Sequence, residues 1–281
     1  RFWHEQQGLH VVDSIETLLD PMGKTQNLML TYAVRDGIIS HCGEVRSTVI
    51  RPREEAMDLN DIERPSQYAP YTWEGCVVKI ADKIAYLGRD IEDAVRLGIL
   101  KEDGKPLQDL LKELNSYSRE PIQSVTNTSI MYPLITDICR ESSPEAGLIL
   151  SQSHINMMDA VMRFNYAHIY KNKRLEVYHA YARLILESVY KLLRECYDGT
   201  ETMNNIRLLA KDYPTLGRHF EKRMKKFSDS GRLEADPDEY GNKVIYKISD
   251  SEDDYKKACI DYIAGMTDTY AEKIFGEMTT F

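Results

Sequence analysis

The feature that most constrains the fold is a long stretch with helical hydrophobic periodicity. Between Trp73 and Leu97, apolar residues recur at intervals of three and four, which places them on one face of an α-helix. They are Val77, Ile80, Ile84, Leu87, Ile91 and Val95. At 3.6 residues per turn this helix has about seven turns, and Gly98 follows as a typical C-cap. The pattern indicates a chain built mainly from helices.

Similar periodicity covers most of the remaining sequence. It predicts further helices at 5–19, 28–39, 106–115, 120–140, 145–169, 174–197, 201–211, 214–227 and 254–278. Residues 43–71 contain three prolines and no sustained period, which predicts a long loop insertion. One strand-like run, Lys243 to Ile248, could form an arm of a small β-hairpin. The predicted fold is an all-α, multi-helix bundle with long loop insertions, in a single domain over residues 1–281.

Composition excludes several classes of protein. Hydrophobic residues make up 42% of the 281 residues, enough to fill a core. A net charge of −9 is unfavourable for binding a polyanion such as duplex DNA. The sequence has no run of 18 apolar residues, so no membrane partner is expected. The five cysteines are far apart and form no CxxC pair, which argues against a disulfide framework or structural zinc site and favours a reducing cytosol.

Four polar residues share one face of the long helix. Asp82, Tyr86, Asp90 and Asp93 are separated by four, four and three residues. Apolar neighbours surround Asp82, so its carboxylate is expected to be partly buried. A buried carboxylate needs an ion pair, hydrogen bonds or a metal. This pattern alone leaves a functional role for Asp82 and a structural capping or salt-bridging role equally open.

The segment from Glu74 to Leu100 reads EGCVVKIADKIAYLGRDIEDAVRLGIL. It resembles the signature helix of the HD-superfamily deoxynucleoside triphosphate triphosphohydrolases, especially the bacterial dGTP triphosphohydrolase group. The resemblance implies that Asp82, in the ADxIAY motif, is a ligand of a divalent metal. It also implies that Lys83 contacts phosphate, that Tyr86 packs beneath the deoxyribose and crowds out a 2′-hydroxyl, and that Asp90 binds the 3′-hydroxyl.

Other segments are similar to the same family. RFWHEQQG at residues 1–8 resembles its FxHN/E-x-Q-S segment and implies that His4 is catalytic, beside the triphosphate. LTYAVRDGIISH at 30–41 resembles the following helix, and FNYAHIY at 164–170 implies that Tyr170 lines the nucleotide pocket. CIDYIAGMTD at 259–268 is close to the family's CDYIAGMTD motif. The resemblance implies that residues 1–100 are the remainder of an HD catalytic core with an insertion at 43–72. It also implies that residues 101–281 complete the nucleotide pocket and the subunit contacts.

One part of the family pattern has no counterpart in this sequence. The two His and one Asp that complete the HD metal site, and the catalytic His-Glu, lie upstream of the FxH segment in the family. The sequence begins at Arg1, within that segment and without an initiator Met. We therefore expect that the natural protein has an N-terminal portion that this sequence does not include; the alternatives are a truncated fragment or a hydrolase that lost its metal site in evolution.

The resemblance implies a complete reaction. A divalent metal such as Mg²⁺ or Mn²⁺ would polarise the α-phosphate, and water would attack the α-phosphorus. A dNTP, with dGTP the first choice, would yield deoxynucleoside and inorganic triphosphate. The resemblance also implies a homo-oligomer, with hexamers common among relatives, and an allosteric nucleotide or single-stranded DNA as further partners. The basic cluster Lys222, Arg223, Lys225 and Lys226 is expected to be a solvated helix face, or else a contact for such a partner.

Two alternatives compete with this hypothesis. One is a non-catalytic, nucleotide-sensing or oligomer-forming helical protein. The other is an HD phosphohydrolase that acts on another nucleotide class, such as nucleoside monophosphates or cyclic dinucleotides. Tyr86 and Asp90 argue against the second alternative, because the resemblance ties this pair to deoxyribose.

Overall fold

A computed structural model describes residues 3–41, 49–118 and 120–280. Residues 43–48 of the predicted insertion lie outside the described residues. The described part of the chain contains twelve α-helices. They are α1 (His4–His10), α2 (Tyr32–Ser40), α3 (Trp73–Arg96), α4 (Lys105–Tyr117), α5 (Asn127–Glu141), α6 (Gln152–Asn165), α7 (Lys173–Arg194), α8 (Thr202–Asp212), α9 (Pro214–Phe227), α10 (Asp229–Leu233), α11 (Glu252–Ala264) and α12 (Asp268–Thr279).

Short irregular helices and strands complete the described structure. Single π-helical turns cover Val11–Ile15 and Tyr166–Tyr170, and 3₁₀ turns cover Leu59–Asp61 and Gly199–Glu201. Strands β1 (Thr17–Leu19) and β2 (Thr25–Asn27) form one antiparallel hairpin, with Leu18 opposite Gln26. Strands β3 (Val49–Ile50) and β4 (Leu148–Ile149) form a second antiparallel pair. The prediction of an all-α bundle with a small hairpin is confirmed.

The chain divides into two compact units. Unit 1 comprises Arg1–Leu9 and Leu30–Glu176, and unit 2 comprises His10–Met29 and Val177–Phe281. The prediction of a single domain over residues 1–281 stays a prediction.

Unit 1 is built around α3. This helix packs on α2, α5 and α6, and α4 packs on α6. Its buried face carries Ile80, Ile84, Leu87 and Ile91, four of the six residues of the predicted stripe, whereas Val77 is exposed. At Gly88 a Cβ would lie 2.5 Å from Asn127 Cα, so only glycine allows this approach of α3 to α5. The helix ends at Arg96 with Leu97 as its C-cap, and Gly98, the predicted C-cap, follows one residue later with a φ of +67° that suits glycine.

Unit 2 has its own core around the α8–α9 pair, with α10, α11 and α12 packed on α9. The largest side chains of this core include Phe220 and Tyr255, which are fully buried and meet edge to face with ring centroids 6.0 Å apart. The Tyr255 hydroxyl donates a hydrogen bond to the Leu193 carbonyl at 2.7 Å, so the buried phenol is satisfied.

Several predicted elements differ from the structure. The predicted helix 5–19 ends at Ile15, because residues 17–19 pair with β2 and expose Leu18 and Leu19. The predicted helix 254–278 is two helices, since Thr267 accepts a hydrogen bond from the Tyr270 N–H and starts α12 anew. The run 243–248 makes only an isolated bridge from Tyr246 to Ser228 among the described residues, so the small hairpin lies at β1–β2 instead.

The part of the chain described here includes no helix that is both long and apolar enough to span a bilayer.

Candidate functional site

Helix α3 positions four of the predicted site residues. Thr72 caps its N-terminus and accepts a hydrogen bond from the Gly75 N–H at 3.1 Å. Two turns further on, Asp82 and Lys83 are half-buried, as expected for a carboxylate flanked by the apolar stripe. Tyr86, one turn later, is 60% exposed. The aromatic ring is therefore available to a ligand on this face of α3.

Asp90 and Tyr170 are 80 residues apart in the sequence but form a hydrogen bond in the structure. The Tyr170 hydroxyl donates a short hydrogen bond to Asp90 Oδ2. Burial and the hydrogen bond to the Asp90 carboxylate raise the pKa of Tyr170 to about 12, so the phenol keeps its proton near neutral pH. The structure thus brings together two residues that the sequence assigned separately to the nucleotide pocket.

A π-helical turn places Tyr170 opposite α3. Asn165, which ends α6, is buried and donates a hydrogen bond from Nδ2 to the Leu87 carbonyl at 3.0 Å. The π turn that follows, residues 166–170, contacts α3. Single π turns inside helices occur often at functional sites. Here the turn orients Tyr170 toward the carboxylate of Asp90.

His4 lies in a second group of polar side chains, at the start of α1. Its side chain is 62% exposed, and its Nδ1 atom lies 3.1 Å from Glu5 Oε2. The rings of His4 and His41 meet edge to face with centroids 6.2 Å apart. His41 itself is held by a contact of 2.7 Å between its Nδ1 and the Ile38 carbonyl oxygen. The His4 imidazole is therefore exposed to solvent, and one side of its ring packs against His41.

A buried lysine lies beside this group. Lys79 is in α3, one turn before Asp82, and its Nζ donates a hydrogen bond to the Ser40 carbonyl at 3.0 Å. Burial lowers the pKa of Lys79, while the nearby Cys76 and Glu5 act in the opposite direction. Burial also raises the pKa of the Cys76 thiol to about 11. The Cys76 thiol is therefore protonated at neutral pH and is no nucleophile.

A paired carboxylate braces α2 against the loop before α3. Asp36 is fully buried, and its Oδ1 accepts a hydrogen bond from Arg53 Nη2 at 2.5 Å. Its Oδ2 accepts from the Tyr71 N–H at 2.6 Å. Arg53 also donates to the Tyr32 hydroxyl at 2.6 Å. This network satisfies the Asp36 carboxylate and ties together the elements that lead into α3.

The described residues do not supply a complete metal site. Asp82 is a half-buried carboxylate of the kind that can bind a divalent cation. However, no group of three or more His, Cys, Asp or Glu side chains within residues 3–41, 49–118 and 120–280 could hold an ion. The described residues therefore supply one candidate metal ligand, Asp82.

Sequence reasoning missed the burial of Glu5 and Lys79. The signal for Lys79 was present, because it follows Cys76 by three residues and so shares the buried side of α3. Glu5 lies in the FxH segment, but a seven-residue helix is too short for its hydrophobic periodicity to show which side is buried. Only the packing of α1 reveals this carboxylate.

The basic cluster on α9 is only partly a solvated face. Lys222 is exposed, and Lys225 pairs with Glu221 at 2.9 Å. Arg223 is half-buried over the Phe227 ring, 5.2 Å from its centroid. The fourth cation, Lys226, donates a hydrogen bond to Thr17 Oγ1 at 2.6 Å. Three of the four cations thus have contacts within unit 2.

Comparison with known proteins identifies relatives along most of the chain. Residues 231–277 match the family described as "Phosphohydrolase-associated domain". A "Deoxyguanosinetriphosphate triphosphohydrolase-like protein" of Clostridium perfringens (strain 13 / Type A) is 27% identical over 277 residues, or 99% of this chain and 60% of that protein. A protein of the same name from strain SM101 is 30% identical over 188 residues, which cover 67% of this chain and 46% of the relative.

A third relative of that name, from Caldanaerobacter subterraneus subsp. tengcongensis, is 25% identical over 270 residues, which cover 96% of this chain and 56% of that protein. The chain thus spans 46% to 60% of the length of these three relatives. The resemblance that the motifs indicated is confirmed: the chain is similar to deoxyguanosinetriphosphate triphosphohydrolase-like proteins over most of its length.

Proposed function

We propose that the protein is a metal-dependent triphosphohydrolase that converts deoxynucleoside triphosphates, with dGTP the first candidate, to deoxynucleoside and inorganic triphosphate. The observation that carries this proposal is the Tyr170–Asp90 hydrogen bond beside the exposed ring of Tyr86 on α3. The names of the relatives, which cover up to 99% of the chain, support the substrate class.

The sugar is recognised by shape and by one carboxylate. Tyr86 is one turn before Asp90 on α3, so a deoxyribose stacked on the ring brings its 3′-hydroxyl toward Asp90. Tyr170 orients that carboxylate by donating to one oxygen, which leaves the other to accept from the sugar. A 2′-hydroxyl would clash with the Tyr86 ring, which gives the preference for deoxyribose.

The phosphates lie toward the N-terminal part of the same helix. Lys83 and His4 are the cationic or hydrogen-bonding groups assigned to them, and such groups stabilise charge that develops on phosphate oxygens. A bound divalent metal would supply further polarisation of the α-phosphate. Of the described residues we assign only Asp82 to that metal, and the steps above depend on no other ligand.

An exposed apolar surface supports self-association. Val177, Tyr181 and Leu184 recur at spacings of four and three on α7, and all three are exposed in unit 2. Sedimentation velocity on the purified protein tests this part of the proposal: a homo-oligomer is expected, and a monomer at micromolar concentration would contradict it. A cytosolic location and an allosteric nucleotide or single-stranded DNA partner stay predictions.

The test of the proposed function combines one variant with one substrate analogue. Asp90→Asn should raise the dissociation constant for dGTP by about 10- to 100-fold, because the 3′-hydroxyl loses its charged acceptor and the Asn amide can turn its NH₂ group toward the sugar. The same variant should leave binding of 2′,3′-dideoxy-GTP unchanged, since this analogue has no 3′-hydroxyl. Calorimetric titration measures both constants, and triphosphate release from each dNTP, with Mg²⁺ or Mn²⁺ supplied, measures turnover.

Asp93→Asn is the matched control. Asp93 follows Asp90 by three residues on α3 but pairs with Arg89 and Arg96, both at 3.6 Å. It should leave dGTP binding unchanged. Equal losses in the two variants would contradict the assignment of Asp90. Binding of dNTPs without turnover by a full-length protein would instead favour the nucleotide-sensing alternative.

A further inference from the structure

Glu5 is a buried carboxylate without a hydrogen bond. Its side chain is 1% exposed, and neither Oε1 nor Oε2 has a hydrogen-bond partner among the described residues. Burying an ionised carboxylate is costly unless charges or hydrogen bonds compensate it. Such a group in a native protein calls for an explanation, and a catalytic role is one of those known.

Lys79 compensates Glu5 only in part. It is close enough for the charge of Glu5 to act on it, but its Nζ donates to the Ser40 carbonyl at 3.0 Å and lies 3.5 Å from Ser66 Oγ. These two contacts of the ammonium are directed to α2 and to the loop before α3. Cys76, a neutral thiol, also acts on Lys79, and Asp36, which is paired with Arg53, acts on Cys76.

His4 also faces Glu5. Its Nδ1 is 3.1 Å from Glu5 Oε2, although adjacent residues of a helix usually point apart. The approach is possible because His4 is the first residue of α1, where the ring can turn back over its neighbour. With Nδ1 against the carboxylate, Nε2 is left on the exposed side of the ring. His41 packs on the ring edge to face and limits its rotation.

We propose that Glu5 is a positioning residue: its buried carboxylate, 3.1 Å from His4 Nδ1, favours a proton on that nitrogen, holds the imidazole in that tautomer and directs Nε2 toward the ligand. Glu5 does not touch the substrate, because its carboxylate atoms are buried beneath His4. That the ligand is a nucleotide phosphate rests on the proposed function, whereas the tautomer of His4 does not.

The tautomer is measured directly by long-range ¹H–¹⁵N correlation of ¹⁵N-histidine-labelled protein, with His4 assigned through His4→Gln. Wild-type protein should show the Nδ1–H form above pH 8. Glu5→Leu, similar in size and without an acceptor, should shift His4 to the Nε2–H form, which free imidazole side chains prefer. Glu5→Gln should rescue the Nδ1–H form, because its amide oxygen still places partial negative charge against Nδ1–H.

The pair of variants separates positioning from charge balance. If Glu5 only balances Lys79, the neutral Leu and Gln variants behave alike, which would overturn the proposal. An Nε2–H wild-type His4, or an unchanged Nδ1–H form in Glu5→Leu, would also overturn it. The wild-type spectrum decides even if Glu5→Leu fails to fold. Glu102→Leu, at an exposed position between α3 and α4, is the control and should change nothing.

If the protein hydrolyses dNTPs, steady-state kinetics provides a second measurement. Glu5→Leu should lower kcat by about 10- to 100-fold with little change in KM, since misplacing a reacting group costs about that factor. Glu5→Gln should recover most of the activity. A wild type that hydrolyses no dNTP would contradict the proposed function, and the tautomer of His4 would still decide the role of Glu5.

Discussion

Buried carboxylates in the two units have opposite surroundings. In unit 2, Asp261 accepts a hydrogen bond from the Tyr246 hydroxyl at 2.7 Å and lies 3.1 Å from His10 Nε2. In unit 1, Glu5 is buried more deeply and has no hydrogen bond among the described residues. Asp261 thus links α11 to other parts of unit 2, whereas Glu5 links no elements through hydrogen bonds among the described residues. The comparison separates carboxylates that hold the fold from one that is available for another role.

Asp36 shows that pairing, and not the unit, makes the difference. It lies in unit 1, as Glu5 does, but both of its oxygens accept hydrogen bonds. If the distinction is correct, substitutions of Asp36 and Asp261 destabilise the protein, and substitution of Glu5 does not.

The largest effect is expected for Asp36→Asn. This variant leaves the mostly buried Arg53 guanidinium without its counter-charge, which costs about 3–5 kcal/mol. Hydrogen exchange of peptides from α2 and α3 measures the loss within unit 1. Unchanged protection would show that the Asp36–Arg53 pair contributes little and would weaken the comparison.

A smaller loss, about 2–3 kcal/mol, is expected for Asp261→Ala, because the Tyr246 hydroxyl becomes a buried, unsatisfied group. Urea denaturation followed by hydrogen exchange in α11 measures it. Asp253→Ala is the control on the same helix: Asp253 is exposed and should cost less than about 1 kcal/mol. Equal losses would refute the structural role of Asp261.

Glu277 tests the pH dependence of a paired carboxylate in unit 2. Burial alone would raise its pKa, but hydrogen bonds from the Thr215 and Leu216 N–H groups, at 2.8 and 3.1 Å, lower the pKa below its ordinary value of 4.5. A lowered folded-state pKa adds stability above pH 4.5, which is lost as the pH falls through the folded-state value.

Glu277→Gln should therefore lower the free energy of unfolding by about 1–2 kcal/mol at pH 7, because one of two charge-assisted hydrogen bonds to the start of α9 is lost. Wild type and variant should converge as the pH falls below the folded-state pKa of Glu277. Denaturation curves across pH 3 to 7 measure the difference. A constant difference over this range would contradict the role of the ionised carboxylate.

The smallest effect is expected for Glu5→Gln, which should change the free energy of unfolding by less than about 1 kcal/mol, since no hydrogen bond is lost. The same hydrogen-exchange measurement on α1 and α3 checks it. A loss as large as that of Asp36→Asn would show that Glu5 and Lys79 form a structural pair, and would remove the contrast between the two carboxylates.

The sequence predicted the elements that depend on local pattern. Helix α3 was predicted within one residue, since its apolar stripe, cap and following glycine all act within a few residues. Helix boundaries that depend on pairing were wrong: β1 replaced the end of the helix predicted at 5–19 because its partner strand β2 competes for the same backbone groups. The face shared by Asp82, Tyr86 and Asp90 follows from spacing alone.

Only the tertiary structure decided which polar groups meet. Asp90 and Tyr170 are 80 residues apart, and His10 and Asp261 are 251 residues apart, so no local pattern links either pair. The burial of Glu5 depends in the same way on what packs over α1. Helical hydrogen bonds form between residues four apart and can be read from sequence, whereas contacts between side chains depend on how whole helices pack. The sequence therefore determined the helix that carries the site, and packing determined which of its charges are paired.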